Sequence, residues 1–245
     1  MYYKVLISSF CFLALVGLAS MYTKEQKDSP VNSTVQEKVI YLTFDDGPSK
    51  NTQAVLDVLD KYEVKATFFV TGQNPEYFDM IKTESKKGHT IGVHTYSHSF
   101  QEIYSGIDAY FKDLDKMNGV IKEQTGKTTN VLRFPGGSSN TVSRNYSSGI
   151  MSTLAKECEK RGYQYYDWNA TNGDGGCSTS ASSLANTAIR EGGSQESIVI
   201  LMHDGTCNGA SAEALPQIIE HYRSQGYTFK GIDENTPVSH HTIAN

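Results

Sequence analysis

Two adjacent carboxylates, Asp45 and Asp46, close the segment Thr43-Phe44-Asp45-Asp46 ahead of Gly47-Pro48. Two imidazoles four positions apart, His94 and His98, flank Thr95-Tyr96-Ser97. Arg133 opens Arg133-Phe134-Pro135-Gly136-Gly137, and His203 follows Leu201-Met202. Each has a plain reading: Asp-Gly-Pro is a turn signal, a lone histidine is more often hydrogen-bonded structure than a ligand, and Arg133 could be half of an ion pair. Convergence changes the chemistry. Two imidazoles and one carboxylate make three ligands for a divalent ion, which leaves a coordination place for water, as in catalytic rather than structural zinc. Bound zinc lowers the pKa of water from about 15.7 to about 7, so a second carboxylate suffices as base. Arg133 could hold that free aspartate ionised and aimed, and His203 could protonate a leaving group.

Geometry limits this scheme. Four fully extended residues span about 13 Å, awkward for two nitrogens each about 2 Å from one ion, so the chain must bend or make a helical turn after His94. Consecutive strand residues face opposite sides, so a tight turn beginning at Gly47 must swing both aspartates to one mouth.

Apolar β-rich runs at 38–44, 65–71, 90–94, 131–134, 163–169, 197–202 and 227–231 predict strands. Helical periodicity predicts helices over 53–62, 75–87, 105–124, 150–161, 180–191 and 212–224. In the first of these, Val55, Leu56, Val58 and Leu59 form one stripe, and Gly88, Gly126, Gly162 and Gly226 each follow a helix as C-caps. Alternation of this kind implies a parallel sheet with right-handed crossovers, fitting an α/β closed or nearly closed barrel better than two domains. An open doubly wound sheet is the competing topology. In both, chemistry collects at the C-terminal strand ends, where the aspartates, histidines and Arg133 fall. At 245 residues the chain suffices for one large domain, and a net charge of −5 argues against a nucleic-acid partner.

Residues 5–19 are strongly apolar after a single Lys4, and no charge occurs from Val5 to Thr23. The length lies between a removable signal and a spanning helix, so residues 1–20 are expected to be a signal peptide or an N-terminal membrane anchor, with possible attachment through residues 5–22. Residues 21–36 are polar and unpatterned, a linker; residues 37–234 form the catalytic domain and 235–245 a C-terminal tail. The protein is then expected outside the cytoplasm, secreted or anchored to the outer membrane face.

The segments TFDDG (Thr43 to Gly47), HTYSH (His94 to His98), RFPGG (Arg133 to Gly137) and LMH (Leu201 to His203) resemble, in order, those of NodB-type polysaccharide deacetylases, the carbohydrate esterases of family four. The resemblance covers about residues 38–234. It implies a single distorted (β/α)7 barrel that hydrolyses N-acetyl groups on amino-sugar polymers with one divalent ion, zinc foremost, with cobalt, manganese or nickel as alternatives. Matched by position, Asp45 is the base, Asp46, His94 and His98 are the metal ligands, Arg133 orients Asp45, and His203 is the acid. The backbone N–H after Pro135, that of Gly136, would hold the oxyanion, and Leu201 would line the acetyl slot. One motif departs: Thr171-Asn172-Gly173-Asp174-Gly175 stands where the family has Asp-x-x-Asp-Trp. Asp174 matches the aspartate that tunes the acid histidine, but the tryptophan is missing. Trp168, upstream, is either core or a replacement apolar wall.

Cys11 lies in the apolar segment, and Cys158 sits on the inner face of a helix. Cys177 and Cys207 fall on loops at the site's face, either paired in a disulfide, as an oxidising compartment favours, or as two free thiols. His89, His221, His240 and His241 are expected at the surface, the last two in a frayed tail. The expected substrate is peptidoglycan N-acetylglucosamine, then chitin oligomers, then acetylxylan, acted on by a monomer. An inert carbohydrate-binding module and a phosphoesterase are rival readings, the latter lacking a second metal site.

Overall fold

The structure, a computed structural model, describes residues 37–177 and 179–244. The segments expected at 1–20 and 21–36 lie outside the described residues. No helix among the described residues is long and apolar enough to cross a membrane.

In chain order the elements are β1 (Val39–Asp45), α1 (Thr52–Lys61), β2 (Ala66–Val70), α2 (Asp79–Lys86), β3 (Thr90–Val93), α3 (Phe100–Ile103), α4 (Ile107–Thr125), β4 (Val131–Leu132), α5 (Ile150–Lys160), β5 (Gln164–Tyr165), β6 (Ala170–Thr171), α6 (Ala181–Gly192), β7 (Ser197–His203), α7 (Gly209–Ser224) and β8 (Thr228–Phe229). All strand pairs are parallel, in the order β5-β4-β3-β2-β1-β7-β6, and β8 pairs with the start of β1. The first strand is zipped to the late strand β7 along its whole length, from Val39↔Ser197 to Asp45↔His203. Read as a ring, the order runs from β1 to β7 in sequence with the sheet open only between β5 and β6, which is the order of a (β/α)7-type barrel and not of an open doubly wound sheet.

Side-chain alternation divides the strands cleanly. Ile40, Leu42 and Phe44 of β1 and Ile198, Ile200 and Met202 of β7 face outward into the large apolar layer beneath the helices. Val39, Tyr41, Phe69, Tyr166, Val199 and Ile232 form a second, smaller cluster inside the barrel. Helix α1 buries Thr52, Val55, Leu56 and Leu59, while Val58 packs at the margin of the larger cluster.

Three expectations are corrected. The single strand expected over 163–169 breaks into β5 and β6, because residues 166–169 turn their backbone to other partners: the carbonyls of Tyr166 and Asp167 accept from Arg133, and the Asp167 N–H donates to Ser239. The terminal histidines are not frayed. His240 stacks on Tyr165 with ring centroids 3.8 Å apart, and the His241 N–H donates to Asp167 Oδ2 at 2.8 Å. His89 is buried at 6% exposure, its Nδ1 accepting from the Ala66 N–H at 3.2 Å; burial pulls its pKa down to about 4.

Candidate active site

The inner phase of the barrel carries the chemistry. Counting up β1 by twos from Val39 gives Tyr41, Thr43 and Asp45; up β7, Val199 leads to Leu201 and His203. Phe69 in β2 and Tyr166 after β5 face the same interior, and Arg133, just past β4, reaches into it from Leu132's far side. Apolar side chains plug the bottom, and ionisable ones ring the rim.

Asp46 and His98 reach that rim through unusual backbone. Asp46 has φ 69°, Thr95 φ 71° and His98 φ 52°, all left-handed conformations costly for side chains with a Cβ. The swing that brings both aspartates to one mouth therefore occurs at Asp46 itself rather than at Gly47. The bend between the two imidazoles begins at Thr95. Asp113 on α4 secures it by accepting the N–H groups of Tyr96 at 2.5 Å and Ser97 at 3.1 Å.

The bend makes an ion cradle. His98 Nε2 lies 3.3 Å and His94 Nε2 3.8 Å from Asp46 Oδ1, and all three ligand atoms lie within 4.8 Å of one another. Tetrahedral ligands at about 2.0–2.1 Å from a zinc ion stand roughly 3.3 Å apart, so the spacing is close to what an ion needs. Asp46 Oδ1 is buried and has no hydrogen-bond donor among the described residues, a costly state for a carboxylate that a cation would relieve. His94 Nδ1 donates to the Arg133 carbonyl at 2.7 Å, which leaves Nε2 as the ligating atom. Burial, foremost, holds the His94 pKa below its ordinary value, favouring the neutral ring a metal requires. The residues fit a divalent ion.

Asp45 stands beside the cradle, its Oδ2 3.6 Å from His94 Nε2. Its Oδ1 accepts from Arg133 NH1 at 2.9 Å, and both residues are buried. Every other Arg133 donor in use is also committed: to Thr43 Oγ1 at 2.7 Å, the Tyr166 carbonyl at 2.9 Å and the Asp167 carbonyl at 3.1 Å. Phe69 lies beneath the guanidinium at 4.3 Å and Trp168 beside it at 5.6 Å. The arginine cannot rotate away, so Asp45 is held in one orientation.

His203, the register partner of Asp45 across the β1–β7 ladder, is tied to Asp174 twice: Nδ1 to Oδ1 at 2.7 Å and its backbone N–H to Oδ2 at 2.8 Å. Ser211 Oγ also donates to Asp174, and Asn208 Nδ2 donates to its carbonyl at 2.9 Å. Burial depresses the His203 pKa, but the hydrogen bond and charge of Asp174 more than reverse this and raise it to about 9. For Asp174 burial acts upward, and its bonds to His203 and Ser211 bring the net pKa below the ordinary carboxylate value.

Gly136, after buried Pro135, is exposed with φ 77°. Tyr104 OH donates to the Pro135 carbonyl at 2.7 Å, fixing the peptide plane. Among the described residues the Gly136 N–H has no acceptor. Leu201 lies buried two residues before His203, on the same strand face. Trp168 is half-buried against Arg133, His241 and Gly137, where an added Cβ would approach its ring to 2.9 Å. The structure thus gathers Asp45, Asp46, His94, His98, Arg133, His203 and Asp174, and sets Trp168 behind Arg133. Cys177 and Cys207 are joined in a disulfide, Cα atoms 5.3 Å apart, linking the loops that hold Asp174 and follow His203.

Sequence reasoning missed Asp113, Tyr104, Asp167 and Asp204. Asp204 is buried under the β1–α1 turn, takes a hydrogen bond from Thr52 Oγ1, and has its carboxyl raised by burial to about 7. Its place beside His203 in Leu201-Met202-His203-Asp204 was the available signal. Asp113 and Tyr104 sit in amphipathic patterns that look like any surface or core helix.

A family model described as polysaccharide deacetylase matches residues 32–151. The chain is 30% identical over 231 residues to a peptidoglycan-N-acetylglucosamine deacetylase of Bacillus cereus, covering 91% of this chain and 80% of that protein. It is 33% identical over 228 residues to a bifunctional xylanase/deacetylase of Pseudobutyrivibrio xylanivorans, but spans only 34% of that protein's length. Among solved structures, the catalytic domain of a peptidoglycan N-acetylglucosamine deacetylase from Eubacterium rectale ATCC 33656 superposes with a TM-score of 0.82 at 47% identity, covering 85% of this chain and 94% of that one. A family 4 acetyl xylan esterase from Clostridium thermocellum, solved with a cobalt ion, gives 0.62 at 31% identity, covering 79% and 88%. With a rim of this composition on a barrel of this order, the chain belongs to the polysaccharide deacetylase family, hydrolases that cleave the amide bond of N-acetyl groups.

Proposed function

We propose that this chain is an exported, metal-dependent deacetylase of peptidoglycan N-acetylglucosamine, acting as a monomer with one zinc-type ion on Asp46, His94 and His98. The observation that carries it is the buried, donor-less Asp46 Oδ1 facing two imidazole nitrogens, with an arginine-held carboxylate and a carboxylate-held imidazole on adjacent strands. A divalent ion in that cradle would supply Lewis acidity, polarising the acetyl carbonyl and acidifying water.

The chain's own residues do the rest. Asp45, aimed by Arg133, accepts the proton of the attacking water as its oxygen bonds to the carbonyl carbon. The Gly136 N–H holds the developing oxyanion, its plane set by Tyr104. His203, kept protonated by Asp174, gives its proton to the amide nitrogen as the C–N bond breaks, yielding acetate and a free amine. Leu201 lines the methyl slot, and Trp168 adds apolar surface behind Arg133 where the motif tryptophan is missing.

The named activities of the Bacillus cereus and Eubacterium rectale proteins support peptidoglycan as substrate. The apolar residues 5–19 and the Cys177–Cys207 disulfide support export. The cobalt in the Clostridium relative and the nitrogen-rich ligand set support a zinc-type ion.

The test is acetate release, followed by mass spectrometry, from muropeptides, chitin oligomers and acetylxylan. Activity should vanish with a chelator and return with zinc, and muropeptides should be the best substrates. No acetate from any of the three would overturn the reading; release from acetylxylan alone would overturn the substrate. Asp45→Asn and His203→Ala should each lower kcat by about 10²–10⁴ while zinc still binds; loss of zinc binding in either would overturn those roles.

A further inference from the structure

Residues 166–168 lie where the expected long strand breaks, and Asp167 at their centre is fully buried. Its carboxylate takes three hydrogen bonds: from Ser138 N–H to Oδ1 at 2.8 Å, from Ser138 Oγ to Oδ2, and from the His241 N–H to Oδ2 at 2.8 Å. Its carbonyl accepts from Arg133 NH2 at 3.1 Å, and its N–H donates to the Ser239 carbonyl at 2.7 Å. Thus one residue touches the loop that carries Gly136, the arginine that aims Asp45, and the C-terminal segment. No step of the reaction uses Asp167 directly.

The C-terminal residues hold the same spot from outside. His240 Nε2 donates to the Tyr165 carbonyl at 2.9 Å while its ring stacks on Tyr165. His241 Nε2 donates to the Trp168 carbonyl at 2.7 Å, and its Nδ1 pairs with Ser139 Oγ at 3.0 Å. Residues 239–241 thus clasp the stretch between β5 and β6, the two ends of the strand order: Tyr166 and Asn169 still donate to Leu132 and Val199 of the neighbouring strands, but Asp167 and Trp168 between them make no strand-to-strand bond. A segment without ladder bonds needs its backbone groups satisfied elsewhere, and the tail does that.

We propose that Asp167, clasped by residues 239–241, is a positioning residue for deacetylation that sets the Gly136 N–H through Ser138 and the orientation of Asp45 through Arg133. The inference rests on the roles given above to Gly136 and Asp45. Its physical basis is that donors to a developing oxyanion act only when pre-aimed, so a displaced loop loses transition-state stabilisation rather than substrate binding.

The test uses the full chain, with Asp167→Asn, Ser138→Ala and His241→Ala made singly. Acetate release from N-acetylglucosamine tetramer gives kcat and KM, calorimetry gives zinc affinity, and the Gly136 amide resonance reports the loop. Asp167→Asn should lower kcat at least about tenfold, short of the roughly 10²–10³ for losing an oxyanion donor outright. KM and zinc affinity should stay within about twofold, since Asp167 touches no proposed ligand, and the Gly136 resonance should shift. His241→Ala and Ser138→Ala should shift the same resonance with smaller losses of kcat, and they keep the test open if Asp167→Asn does not fold. Unchanged kcat in folded variants, or parallel loss of kcat, KM and zinc affinity, would overturn the positioning role. If the unaltered protein releases no acetate from the tetramer, muropeptides or acetylxylan, the functional reading fails instead, and the resonance alone decides: an unmoved Gly136 amide overturns the clasp, a shifted one upholds it.

Discussion

A proton donor must hold its proton when the C–N bond breaks, and for His203, the proposed donor, that condition is set by one neighbour. Burial alone would drive the imidazole neutral; the Asp174 bond at 2.7 Å reverses this and lifts the pKa to about 9. Replacing Asp174 by Asn keeps the shape and removes the charge. The alkaline limb of kcat/KM for acetate release should then move to lower pH, and a limb that stays in place would show that His203 is not the donor. The same pair bears on stability. His203 titrates above its unfolded value of 6.5, so its contribution is full below about 6.5 and is lost as pH rises through about 9. Asp174 titrates below 3.8, so its contribution is present above that value and is lost as pH falls through the folded pKa. Asp174→Asn should therefore lower the melting temperature most near neutral pH, with the deficit shrinking in acid and in alkali.

At the scale of elements, the site depends on turns more than on strands. The β3–α3 turn places His98 only because Asp113, on a different helix, accepts the N–H groups of Tyr96 and Ser97. Asp113→Ala should weaken zinc binding about 10–100-fold by calorimetry, as loss of an outer partner commonly does. The β1–α1 turn has the opposite weakness, crowding. A Cβ on Gly47 would stand 2.3 Å from Asp204 Oδ1, whose carboxyl is buried and pinned by Thr52. Gly47→Ala should cost about 1–3 kcal/mol, measured by urea unfolding, because neither partner can retreat. Apart from the four-residue helix α3, too short to show a period, strands and helices were readable to within a few residues, since a period of two or 3.6 is written locally. The C-cap glycines at 88, 126, 162 and 226 all take positive φ between 79° and 85°. The break between β5 and β6 was not readable, because it is imposed by Arg133 and Ser239 from outside the segment.

For the whole molecule, closure is the governing fact. The β1–β7 ladder brings Asp45 opposite His203, joining the proposed base and acid from distant parts of the chain on neighbouring strands. The disulfide works across the same face, where residues 30 apart in sequence tie the Asp174 loop to the loop after His203. A cross-link of that span should contribute about 3–4 kcal/mol by restricting the unfolded chain. Paired Cys177→Ser and Cys207→Ser substitutions should lower urea stability by roughly that amount. Equal stability of the oxidised protein and the double variant would mean the bridge does not restrain the fold.

The order of residues carried the chemistry: four segments at strand ends, three bearing the candidate ligands, base and acid and one bearing Arg133, spaced so that alternation could turn Asp45 and His203 inward. That much is local, because hydrophobic period and residue type are properties of short stretches. What the barrel added lies between stretches. Left-handed backbone at Asp46, Thr95 and His98 is held by partners elsewhere in the fold, such as Asp113, 17 residues from Tyr96. The packed tail reaches Ser138 from His241, 103 positions away. Hydrogen bonds over such distances leave no periodic trace in the chain, so a histidine pair near the end looked like frayed tail until the fold brought His240 onto Tyr165 and the His241 N–H to Asp167.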